Sequence, residues 1–270
     1  MQLHFLGTGA AEGFPALFCD CYFCQEARRL GGKNIRTRAS IQIDQIHKID
    51  FPPDTFYHKL KYGLDLSKVQ HLLVTHAHYD HFAPAELHFL AEPFAHIEER
   101  EPLHIYGNEL VGERLELAGD PERAGFVYYQ IKPFREFTAG EMQVLPVRAA
   151  HAPTQEALNF VLQKDGQTVF IAYDTGWFLE PTWKALGKFQ FDLIIFDCTH
   201  GSLDNAEGHL GIKPLLRMRD RLGEIGSLKE NAKLIATHFS HNGRLSHKDL
   251  CEALEPEGVQ VAYDGLIIET

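Results

Sequence analysis

The sequence has no run approaching the roughly 18 consecutive apolar residues of a membrane span, so no membrane partner is expected. Its first residues, MQLHFLGTGA, lack the basic segment and apolar stretch of a secretory leader, and a cytoplasmic protein is the expectation. Basic excess is missing too: 26 Lys and Arg face 37 Asp and Glu, a formal net charge of −11. Non-specific nucleic-acid binding needs the opposite balance, which disfavours that partner class. The sum omits bound cations, however, and divalent metals would make a site positive inside an acidic surface. Cysteine is scarce and odd in number, five in 270 residues, and without a leader a disulfide framework is not expected. Short-period repeats and low-complexity tracts are absent as well, so a single unit over 1–270 is the expected organisation.

What is present is a series of short apolar or alternating runs with turn residues nearby. Strands are expected over Leu3–Leu6, His71–Thr75, Leu103–Tyr106, Met142–Val147, Asn159–Gln163, Thr168–Tyr173, Phe191–Phe196, Leu234–Thr237 and Val259–Ala262. Asp165-Gly166 reads as a hairpin turn between two of them. Helices are expected over Ala85–Phe94, Asn108–Ala118, Pro181–Gly187, Ile212–Leu222 and Ser246–Leu254, the last with Ser246 and Asp249 as a capping box. The alternation predicts an α/β fold with helices on the outer faces of its sheets.

Four of the apolar runs end in the same way: HLLVTHAHYDH, VFIAYDTG, LIIFDCTH and LIATHFSH. Each delivers His or Asp at the C-terminal end of a strand, which lines ligand-type side chains along one rim. The segment His76-Ala-His78-Tyr-Asp80-His81 is the densest, and packing alone has no use for such spacing. His76 and His78 can serve one ion while Asp80 and His81 serve a neighbour. His151, Asp174 and His238 follow later strands, and seven ligands suit two ions with Asp174 as the carboxylate between them. The isolated His4, His47, His58, His71, His88, His96, His104 and His247 read as ordinary core or surface residues and receive no role.

The stretch CDCYFC places Cys19, Cys21 and Cys24 within six residues. That trio points to metal, and a structural zinc wants a fourth ligand. Cys198 is one chemical option and a redox trio is another. Cys251 reads as a small core residue.

His76–His81 carries the signature of the metallo-β-lactamase superfamily, whose fold is a four-layer αββα sandwich with metals at the sheet edges. GTGAAEGFP followed by CDCYFC, then THAHYDH, AYDTG, DCTH, THFSH and the terminal YDG, resembles one branch from Leu6 to Gly265. That branch is the phosphoribosyl 1,2-cyclic phosphate phosphodiesterases of the phosphonate, or carbon–phosphorus lyase, pathway. The resemblance implies that His76, His78, His151 and Asp174 hold one divalent ion and that Asp80, His81, Asp174 and His238 hold the other. It also implies that His200 lies beside the scissile phosphate and that His241 closes a structural zinc site with Cys19, Cys21 and Cys24. The active-site ions would be zinc or manganese, with iron a third option.

The implied function is hydrolysis of a small cyclic phosphodiester, such as a ribose cyclic phosphate, by a metal-bridging hydroxide. His200 would support the leaving oxygen and Asp80 would help to hold the nucleophile's proton. A homodimer is compatible with this reading. Three rivals remain open: other hydrolases of the fold, including tRNA-processing nucleases; a pyrroloquinoline quinone biosynthesis-type accessory protein; and a non-enzymatic metal sensor. One departure is clear. The superfamily's Asp-Gly after an early strand is replaced by Ile49-Asp50-Phe51-Pro52-Pro53-Asp54, a stiff segment expected to line the pocket.

Overall fold

The computed structural model describes residues 1–97 and 101–270. In chain order the strands are β1 (Gln2–Gly7), β2 (Ser40–Ile43), β3 (His47–Ile49), β4 (His71–Leu73), β5 (Leu103–Gly107), β6 (Phe126–Gln130) and β7 (Phe137–Ala139). They continue as β8 (Met142–Arg148), β9 (Leu158–Lys164), β10 (Gln167–Ala172), β11 (Phe191–Asp197), β12 (Leu228–Thr237), β13 (Val259–Val261) and β14 (Ile267–Glu269). Two seven-stranded mixed sheets result, ordered β14-β1-β2-β3-β4-β5-β6 and β13-β12-β11-β10-β9-β8-β7. The β9–β10 hairpin turns at Asp165 and Gly166, both at positive φ (53° and 73°), as a tight hairpin of this hand requires.

The sheets pack face to face through Phe5, Ile41 and Leu73 of the first and Phe160, Ile171 and Ile195 of the second, all fully or almost fully buried. Each such side chain removed from water contributes about 1.5–3 kcal/mol. The helices are α1 (Tyr22–Leu30), α2 (Thr55–Tyr62), α3 (Glu109–Arg114), α4 (Pro121–Ala124), α5 (Glu180–Leu186), α6 (Ile212–Glu224) and α7 (His247–Leu254). α5, α6 and α7 cover the outer face of the second sheet with Trp183, Leu215, Met218 and Leu250. The segment 84–90, α3 and α4 cover the first with Leu87, Val111 and Ala124. The outcome is the expected αββα sandwich.

Differences from the sequence reading are local. Residues Pro84–Leu90 form a 3-10 run rather than an α-helix. The α-helix after Asn108 stops at Arg114 and tightens to 3-10 over Leu115–Ala118. The Ser246–Asp249 capping box is present in both directions. Among the described residues no helix is long and apolar enough to cross a membrane.

Parallel pairing of β10, β11 and β12 brings their C-terminal ends to one edge. The end of β4 in the facing sheet meets them there. That edge carries the ligand-type side chains.

Candidate active site

At the end of β4 the chain turns, and His76, His78, Asp80 and His81 follow within six residues. Asp174 follows β10 and His238 follows β12, each at positive φ (52° and 61°). Non-glycine residues pay about 1–3 kcal/mol for such backbone. Here it turns two side chains off the ends of their strands and back toward the sheet edge.

The ligand atoms of His76, His78, His151 and Asp174 lie within 4.8 Å of one another, as do those of Asp80, His81, Asp174 and His238. Asp174 belongs to both groups. Its Oδ2 is 3.2 Å from His76 Nε2 and 2.8 Å from His81 Nε2, and its Oδ1 is 2.7 Å from His238 Nε2. Nε2 of His238 and Oδ1 of Asp174 are buried and make no hydrogen bond of acceptable geometry despite that closeness. Nε2 of His81 has none either. Buried polar atoms that converge in this way, without a hydrogen-bond partner among the described residues, fit a common cation. The donor set of imidazole and carboxylate suits zinc, manganese or iron.

The far nitrogens of the rings are held from behind. His81 Nδ1 is 2.6 Å from Asp50 Oδ2, His76 Nδ1 is 3.0 Å from Thr75 Oγ1, His151 Nδ1 donates to Gly208 O at 3.1 Å, and His238 Nδ1 is 2.8 Å from Thr199 Oγ1. Each contact fixes a ring and turns its other nitrogen toward the neighbouring ligand-type groups; the Nε2 atoms of His76 and His151 both converge on His78 Nδ1, at 2.8 Å and 3.2 Å. Asp50 is fully buried, sits at φ 59°, and also accepts from the Thr75 amide at 2.8 Å and the Tyr173 hydroxyl at 3.0 Å. The Ile49–Asp54 segment therefore contributes an anchor behind His81. Phe51, next to Asp50, bridges to Phe82.

Electrostatics reflect the crowding. Burial would raise the Asp174 carboxyl, but His238 and His81 outweigh it and hold it well below the usual range. Burial disfavours charge on His81, yet Asp174, Asp80 and Asp50 hold its imidazole well above the usual value. His76, enclosed and beside His81, is pushed well down by burial first.

A third group was not anticipated from sequence: Asp174, Asp197, His209 and His238. His209 Nδ1 is 2.8 Å from Asp197 Oδ2 and 3.8 Å from Asp174 Oδ1. Burial opposes its charge, but Asp197 outweighs it and holds His209 up at about 9. Asp197 accepts further from the Thr199 and Leu210 amides, both at 2.9 Å. Gly176 allows this loop to close over the site, since a Cβ there would stand 2.1 Å from Ala206 O. His200, by contrast, joins none of the groups. Its Nε2 lies 3.2 Å from Asn205 Nδ2 and 3.4 Å from Glu207 O, and its ring stands 5.6 Å from that of His209. Of the two histidines in this loop, His209 is the one that joins Asp174, Asp197 and His238. The only signal for it in the chain was a second His nine residues downstream in the same loop, Gly208-His209-Leu210.

Cys19, Cys21, Cys24 and His241 form a separate group. His241 Nδ1 is 3.6 Å from Cys19 Sγ and 3.5 Å from Cys21 Sγ. A tetrahedral zinc with ordinary Zn–S and Zn–N lengths sets sulfur and nitrogen about 3.5–3.6 Å apart. Burial would raise the Cys21 thiol, but the Cys24 amide and His241 draw it down to about 6. Cys198 lies elsewhere, fully buried in the core under α6 and α7. The clasp adjoins the catalytic edge: Phe239, next to His238, donates to Thr8 O at 2.9 Å and accepts from the Ala10 amide at 3.0 Å.

Residues 49–239 match the beta-lactamase superfamily domain. Over 98% of its length the chain is 26% identical to an octanoyltransferase of Porphyromonas gingivalis, and it spans about half, 51%, of that curated relative. Its fold superposes on a crystal structure of a new diphosphatase from the PhnP family with a TM-score of 0.77 at 22% identity, covering 100% of this chain and 97% of that one. Zinc-bound PqqB from Methylobacterium extorquens superposes with a TM-score of 0.79 at 15% identity, with 100% of both chains covered.

Proposed function

The chain belongs to the beta-lactamase superfamily and is a metal-dependent hydrolase, and we propose that its substrate is a small cyclic phosphodiester such as a ribose cyclic phosphate. The observation that carries this reading is the pair of four-ligand groups sharing Asp174, with the His209–Asp197 pair beside them. Two divalent ions held there would supply Lewis-acid charge to a phosphoryl oxygen and a water acidic enough to act near neutral pH. His76, His78 and His151 would hold one ion, Asp80, His81 and His238 the other, and Asp174 both. A third ion, zinc, would sit in the cysteine clasp.

The chain's own groups do the rest. Asp197 occupies Nδ1 of His209, so Nε2 is the nitrogen left to face substrate. From there it can hand a proton to the departing alkoxide, a poor leaving group without one. Asp80 Oδ2, 3.1 Å from His81 Nε2, is placed to accept a hydrogen bond from the attacking water. Thr199 links the two sides: its Oγ1 is 2.8 Å from His238 Nδ1 and 3.2 Å from His209 Nδ1. His200 becomes a neighbour of the proton donor rather than the donor itself. A net charge of −11 with no basic excess favours a small diester over tRNA.

The test is a substrate panel on protein loaded with manganese or zinc, spanning cyclic ribose phosphates, cyclic nucleotides, bis(p-nitrophenyl) phosphate, a precursor tRNA, a thioester and a β-lactam. Turnover of a small cyclic diester well above the others is expected. Cleavage confined to the last three would overturn the reading.

A further inference from the structure

A histidine that holds a metal through one ring nitrogen carries its proton on the other, and that N–H needs an acceptor. His241 presents Nδ1 to the clasp, 3.6 Å from Cys19 Sγ and 3.5 Å from Cys21 Sγ. Its Nε2 lies 3.5 Å from Glu12 Oε1, an ion-pair distance, and this carboxylate is the only partner of that nitrogen among the described residues. Glu12 stands outside the cysteine motif, in the turn that follows β1.

Glu12 is itself fixed. Ser240 Oγ donates to the same Oε1. Ser240 Oγ also accepts from the Asn242 amide at 3.0 Å and so caps the short turn His241–Gly243. The Glu12 carbonyl accepts from the Leu17 amide at 3.2 Å, which ties its main chain to the approach to Cys19. The Glu12 side chain is 30% exposed and that of His241 16%, so the pair stands at the rim of the fold rather than in open solvent. A surface glutamate ordinarily needs no explanation. This one sets a single oxygen against two consecutive residues of a distant segment, and the second of them is the clasp histidine.

We propose that Glu12 is the positioning residue of the clasp. Its carboxylate keeps the His241 proton on Nε2 and turns the Nδ1 lone pair toward the thiolates, while Ser240 anchors the carboxylate. This rests on the reading of Cys19, Cys21, Cys24 and His241 as a zinc site. The opposite tautomer would point an N–H at the sulfurs and could not ligate through Nδ1. At a rim partly open to water the charge itself adds little, so the acceptor oxygen is the essential feature and a carboxamide can supply it.

Cobalt(II) titration of the metal-stripped, reduced full chain tests this, with free cobalt set by a chelator buffer and binding read at the thiolate-to-cobalt charge-transfer absorption. Only the cysteine site gives that band, so the imidazole and carboxylate centre stays out of the reading. Glu12→Ala should weaken cobalt at this site about 10–100-fold. Glu12→Gln should stay within about threefold of wild type. Added to His241→Ala, Glu12→Ala should cost no more than about twofold further, because a residue that acts through His241 has nothing left to position. Wild-type affinity in Glu12→Ala would overturn the proposal. So would a glutamine variant as weak as the alanine one. An undiminished loss from Glu12→Ala in the His241→Ala background would overturn it too, by marking a general effect on the turn. Glu12→Leu, which keeps the bulk of the side chain, takes the place of the alanine variant if that one does not fold. Absence of the charge-transfer band in wild type would sink the clasp itself, and the role of Glu12 with it.

Discussion

Nδ1 of His81 lies 2.6 Å from Oδ2 of Asp50, a fully buried carboxylate that reaches the site from the end of a different strand. The contact sets the ring plane of His81 and raises the basicity of the nitrogen that faces Asp174. Asp50→Asn is the clean probe, since asparagine tolerates the positive φ found there. Affinity for an ion at the Asp80, His81 and His238 group should fall about 10–100-fold, with affinity at the His76, His78 and His151 group retained. Metal titration of the purified variant reads the outcome, and equal loss of both ions would point to misfolding instead.

His209 and His200 should separate cleanly. If His209 donates the proton, His209→Ala should lower kcat by roughly 10²–10⁴-fold with metal content unchanged. His200→Ala should stay within about tenfold of wild type, since its contacts are to Asn205 and Glu207. Steady-state kinetics beside elemental analysis decides, and the reverse ranking would restore His200 as the donor.

The clasp predicts a coupled loss. His241→Ala leaves zinc three thiolates and an open position, so zinc content and melting temperature should both drop. Cys198→Ser should keep zinc, because Cys198 lies in the core away from the clasp. Retention of tight zinc in the first variant, or loss of it in the second, would show that the clasp is closed by another group.

Away from the metals, His71 is stacked between His47 and His104, with ring separations of 5.1 Å and 5.3 Å. Burial, then repulsion from those two rings, lowers His71 to about 4. An unfolded histidine titrates near 6.5, so between about pH 6.5 and pH 4 the unfolded chain binds the extra proton. Stability should therefore be fully present above that window and fall as pH drops through it, by at most about 3 kcal/mol. Urea unfolding across pH 4–7 should show a shallower acid loss in His71→Gln than in wild type.

The sequence made some of this legible and hid the rest for identifiable reasons. The rim ligands stood out because β4, β10 and β12 are apolar runs that each end in His or Asp, a pattern core packing does not produce. β2 and β3 escaped notice because Gln42, His47 and Lys48 are polar by type yet buried by position. A lysine between two strand residues reads as solvent-facing, and only the helix packed above it reverses that. β6, FVYYQ, has a plain strand composition but is mostly exposed, so it lacks the apolar run that marks the other strands. α1 begins inside the cysteine motif, with Cys21 at its N-cap and Cys24 on its buried face, so ligand spacing and helical spacing overlap there. His209 lies in a loop without periodicity, where only three-dimensional closure joins it to Asp197.

Asp50, Asp174 and His238 all hang from left-handed backbone that glycine alone adopts freely. Each is thus held against a local preference by the surrounding fold. Glycine at any of the three would relax the main chain while removing the anchor or ligand. At Asp50 that exchange would also strand the Thr75 amide and the Tyr173 hydroxyl in the interior, so there the side chain's contacts decide the residue and the backbone follows.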